Sequence, residues 1–92
     1  MQNEDNSNST ITLTIAGTDI RFIPTEAIYN KFVNEMTMDN KIAPAKNYLT
    51  RCVHPEDRES LSKVIDRPGA ALQIAAKLNE NFAVDLDITV KK

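Results

Sequence analysis

Ninety-two residues, 41% apolar and 26% charged, make a single small domain with one modest core. One cysteine excludes an internal disulfide and suits a reducing compartment. A net charge of −2, with eleven basic residues spread among thirteen acidic ones, gives no overall field for a nucleic acid. No run approaches the ~20 apolar residues that a membrane-spanning helix needs, and "MQNEDNSNST" lacks the basic and apolar regions of a secretion signal. The expected address is therefore the cytoplasm. With no Trp and five aromatics, the core is expected to rest on Ile, Leu, Val and Ala.

Residues 1–9 are too polar to pack and are expected to form a disordered arm before a single α+β domain, 10–92. Ile11, Leu13 and Ile15 alternate with threonines, the period of a half-buried strand. Gly17-Thr18 suits a two-residue type II′ hairpin turn, a register that pairs Ile15 with Ile20, Leu13 with Phe22 and Ile11 with Pro24. Thr25 stands where a helix cap is wanted. After it, Ile28, Tyr29, Phe32, Val33 and Met36 form the apolar stripe of a first helix.

"TMDNK" breaks that pattern, and a second helix is expected from about Ala43, with Pro44 tolerated in its first turn. Ala45, Tyr48, Leu49, Cys52 and Val53 share its inner face. His54 precedes Pro55 and is pushed out of the helical region, ending that helix near Val53. A third helix is expected from Pro55, with Leu61, Val64 and Ile65 inward. "DRPG" punctuates the chain before Ala71, Ile74, Ala75, Leu78 and Phe82, the cleanest helical period. Leu86, Ile88 and Val90 then alternate with polar residues, predicting a strand that completes a small antiparallel sheet. The expected fold is thus α+β: an N-terminal hairpin, three to four helices and a C-terminal strand.

Chemistry finds little to work with. Cys52 and His54 are the only Cys and His, so a zinc site lacks ligands. A thiol on an inner helical face beside a turn histidine reads as a small core residue. Glu56, Asp57 and Glu59 read as a solvated first turn that favours the helix dipole. Two glycines cannot make a phosphate-binding loop. Neither a catalytic residue, a metal ligand nor a cofactor is expected, and the chain reads as a binding protein. Met36, Met38, Ile42 and Tyr48 bracket the break between the first two helices and are the candidate partner-binding residues, Met38 standing in a loop.

The stretch "FIPTEAIYNKFVNEMTMDNKIAPAKNYLTRCV" resembles the phage tail assembly chaperone family of long-tailed phages and prophages. The resemblance is carried by Phe22, Pro24, Thr25, Tyr29, Asn30, Asn34, Glu35 and Met36. It continues through Asp39-Asn40-Lys41-Ile42-Ala43-Pro44-Ala45, Asn47, Tyr48 and Leu49, and through "PGAALQIA" and "DLDITVKK". It implies a non-enzymatic protein of the host cytoplasm that binds the tape measure protein, keeps it soluble and promotes assembly of the tail tube protein around it. It also implies self-association on the client, a longer frameshifted form of the chain, and absence from the mature virion. A second reading is a structural minor tail or head-completion protein retained in the virion.

Overall fold

The Thr-Ile alternation produces strand β1 (Ile11–Ile15), paired antiparallel with β2 (Thr18–Phe22). The computed structural model describes residues 10–83 and 86–91, so the expected arm, 1–9, lies outside it. The register is Ile15↔Thr18, Leu13↔Ile20 and Ile11↔Phe22, two residues away from the one the sequence suggests. Because the shift is even, every apolar side chain keeps its face. Ala16 and Gly17 form the turn with φ of 51° and 84°. Positive φ at both central positions is the requirement of a type I′ turn, which matches the twist of the strands. For Ala16 that conformation costs about 1 kcal/mol.

The outer edge of β2 explains why this register wins. Phe22 bridges to Val53, the Ile23 N–H donates to the Cys52 carbonyl (2.6 Å), and the His54 N–H donates to the Arg21 carbonyl (2.8 Å). The long-range contacts outweigh the local preference of Gly17 for the first turn position.

Thr25 caps helix α1 (Glu26–Glu35), its hydroxyl accepting from the Ile28 N–H at 3.2 Å. Of the expected stripe, Phe32 is buried and Ile28, Tyr29 and Met36 pack partly against the core, but Val33 faces outward. Helix α2 (Ile42–Cys52) holds Pro44 in its first turn, where a missing N–H removes no helical bond. It ends before the His54-Pro55 pair as expected. The third helix is broken up: a 3-10 turn (Pro55–Asp57) leads into the short α3 (Arg58–Ser62), and Val64 and Ile65 reach the core from the turns that follow. Helix α4 (Ala70–Phe82) buries Ala71, Ile74, Ala75 and Leu78.

α2 packs against both α1 and α4, and α4 also contacts β1. The aromatics carry more of this core than their number suggests. Phe32 and Tyr48 stack with centroids 4.6 Å apart, and Tyr29 meets Phe32, Tyr48 and Phe82 at 5.9–6.5 Å. Four of the five aromatics therefore join α1, α2 and α4 at one point, each pair contributing about 1 kcal/mol beyond its buried area.

The third strand is a correction. Among the described residues the sheet has two strands, and 86–91 forms none. Leu86, Ile88 and Val90 have the strand period but lie exposed, because periodicity identifies an apolar face without supplying a surface to cover it.

Candidate functional site

The two residues that most invite chemistry are occupied by the fold. Cys52 is buried among apolar neighbours, and burial pushes its thiol up to about 12. His54 turns its Nδ1 to accept from the Glu56 N–H at 3.1 Å, capping the 3-10 turn. The histidine thus serves the start of the next turn. Among the described residues no cluster of three or more His, Cys, Asp and Glu side chains has the spacing of a metal site.

Asp57 differs from the solvated carboxylate expected of it. Its Oδ2 accepts from both Nε (2.9 Å) and the backbone N–H (2.8 Å) of Arg21, and its Oδ1 accepts from the guanidinium at 3.0 Å. Those hydrogen bonds, side chain first and backbone second, hold its carboxyl down at about 2 and raise Arg21 above its ordinary value. Glu56 adds a more exposed contact at 3.2 Å. This cluster clamps β2 to the turn after α2. No simple spacing rule reveals it, since the partners lie far apart in sequence.

The four candidate binding residues do not form one surface. The Tyr48 ring is fully buried, with its hydroxyl donating to Asn79 Oδ1 at 2.7 Å, and burial raises its phenol above the ordinary value. Met36 packs partly against the core. Met38 is 88% exposed at the tip of a tight turn, closed where the Thr37 N–H donates to the Asn40 carbonyl (3.1 Å) and the Asn40 N–H to the Thr37 carbonyl (3.4 Å). That turn leads directly into α2, where Ile42 is 55% exposed.

Ile42 opens onto a groove that the sequence did not assemble. Ile42, Ile65, Ala71 and Leu72 line it together with Pro68 and Gly69. Lys46 and Asp66 form an ion pair at 2.9 Å on its rim. Its volume of about 190 Å³ suits inserted side chains better than a drug-sized ligand. Gly69 has φ of 78°, where an L side chain is strained and an added Cβ would stand 3.2 Å from Gln73 Nε2. One signal for this groove was available: Leu72 is a large apolar residue off the inner stripe of α4. The contribution of Ile65 was hidden, because it depends on how the turns after α3 fold back.

These features define a small α+β domain with an apolar groove, a charged rim and its reactive side chains committed to packing or capping. The chain belongs to the phage tail assembly chaperone family, whose model matches residues 11–92. It is 41% identical over 86 residues to a protein of Haemophilus phage HP1 (strain HP1c1), described as an uncharacterized 11.3 kDa protein in the lys 3' region. The match covers 94% of this chain and 84% of that relative. No solved structure matches. Membership points to protein partners in tail assembly rather than to a reaction. No helix among the described residues is long and apolar enough to cross a membrane.

Proposed function

We propose that this protein binds the tape measure protein in the host cytoplasm, keeps it soluble and hands it to the tail tube protein without entering the finished virion. The observation that carries the reading is the groove of Ile42, Ile65, Ala71 and Leu72 on a member of the tail assembly chaperone family. A long client with amphipathic helices exposes apolar stripes that aggregate. A helix laid across the groove would bury side chains of such a stripe, while Lys46 and Asp66 meet its polar flank. Met38, at the tip of the adjoining turn, supplies an unbranched side chain that adapts to varied client surfaces. Many copies would be needed for one client, so self-association along it and a frameshifted longer form of the chain belong to the same reading.

Co-expression with the tape measure protein of the same phage tests this. The client is expected to shift into the soluble fraction and to co-purify with the chain. A client equally insoluble with and without it overturns the reading, and stoichiometric recovery of the chain from purified particles overturns its exclusion from the virion.

A further inference from the structure

Among the described residues β1 is the open edge of the sheet. Ile15 and Thr18 flank the two-residue turn, so Ile11, Leu13 and Ile15 exchange backbone hydrogen bonds with β2. The N–H and C=O groups of Thr12 and Thr14 therefore point away from it. The opposite edge has the same phase: Arg21, across from Thr12, turns its N–H to Asp57 and its carbonyl to His54. Thus β2 is covered, whereas no backbone group of Thr12 or Thr14 has a partner outside the hairpin among the described residues. Beside this edge, Leu13, Ile15 and Ile74 line an apolar groove of about 350 Å³.

The segment 86–91 has the complementary need. Leu86, Ile88 and Val90 alternate with Asp87, Thr89 and Lys91, yet they are 72%, 78% and 82% exposed. An exposed strand-like segment and an exposed strand edge are each a template for pairing.

We propose that residues 86–91 of one copy add as an antiparallel strand to the β1 edge of a second copy, seating Leu86, Ile88 and Val90 in the groove beside α4. Direction selects a second copy over the chain's own segment. Ala70 and Ile74 flank Ile15, and Lys77 joins the groove wall that contains Leu13. Phe82 lies 5.9 Å from Tyr29 on α1, which begins just past the end of β2 that faces Ile11. The helix α4 therefore delivers the chain to the starting end of β1, and the chain's own segment can return only parallel to β1. Antiparallel ladders are the more stable per residue, and a second copy can supply one. Reciprocal exchange closes a dimer, whereas one-way exchange builds an open row of copies. This pairing goes beyond client binding and stands whatever the client is.

Sedimentation of the full chain over a range of concentrations tests the pairing. Wild type is expected to associate, and Ile88→Lys to weaken association by about tenfold or more. Because Ile88 is exposed in the monomer, that variant keeps its unfolding transition, which separates lost pairing from misfolding. Strand alternation puts residues 87 and 89 on the same face as Thr12. Mixing Thr12→Cys with Asp87→Cys or Thr89→Cys is expected to yield interchain disulfides, with the buried Cys52 not competing. A wild type that stays monomeric, association that survives Ile88→Lys, or a Thr12→Cys/Thr89→Cys double variant that closes only within one chain would overturn the proposal.

Discussion

The guanidinium of Arg21 and the carboxylate of Asp57 meet in a two-point fork at 2.9 and 3.0 Å, and the Arg21 backbone N–H adds a third bond at 2.8 Å. The Asp57 side chain is only 14% exposed, so this pair is shielded more than an ordinary surface bridge. It fixes β2 against the turn between α2 and α3, and with it the register of the hairpin.

Acid should therefore act through Asp57. Its carboxyl is held at about 2, below the ordinary value of 3.8, so the native state favours the charged form. That stabilisation is complete above the ordinary value and is lost as pH falls from about 4 through about 2. Asp57→Asn lowers the melting temperature at neutral pH and flattens the acid dependence in that window. Thermal melts followed by circular dichroism from pH 2 to 5 check this, and parallel curves for the two proteins would refute it.

Tyr48 separates packing from hydrogen bonding. Tyr48→Phe keeps the stack on Phe32 and loses the bond to Asn79, a cost of about 1 kcal/mol. Tyr48→Ala empties the junction of α1, α2 and α4 and is expected to cost about 3–5 kcal/mol. Denaturant titration distinguishes the two. Equal losses would mean that the hydroxyl, not the ring, holds the junction.

Ala16 is a strained turn residue with φ of 51°. Ala16→Asn creates the Asn-Gly pair favoured in type I′ turns and should stabilise the protein by about 1 kcal/mol. An unchanged or lower unfolding midpoint would contradict that assignment of the turn.

The groove can be tested without damaging the core. Ile42 and Leu72 are 55% and 40% exposed. Ile42→Lys and Leu72→Lys are expected to alter stability by less than about 1 kcal/mol, yet reduce the soluble, co-purifying client several-fold. Full client recovery with both variants would move the binding surface elsewhere.

Cys52 should be inert in the native state. Its buried thiol, pushed up to about 12, offers little thiolate, so labelling at neutral pH should proceed at the rate of unfolding and become fast in denaturant. Rapid native labelling would show that the thiol is accessible.

Local rules carried some elements further than others. The threonine cap of α1, the end of α2 before His54-Pro55 and the stripe of α4 follow from side-chain sterics and periodicity within a few residues, and all three stand in the structure. Val33, the 3-10 turn at Pro55 and the exposed 86–91 depart from expectation, because an apolar period does not say which neighbour arrives to cover it.

The α+β class, the hairpin faces, the main helices and, through the motifs around Tyr29-Asn30 and residues 39–49, the family are legible in the order of residues. The hairpin register, the joining of Arg21 to Asp57 and the groove between Ile42 and Leu72 emerge in the folded chain alone. The division has one physical cause. Backbone sterics and periodicity act over a few residues, whereas registers, ion pairs and grooves are set by contacts between segments that meet only once the chain has folded.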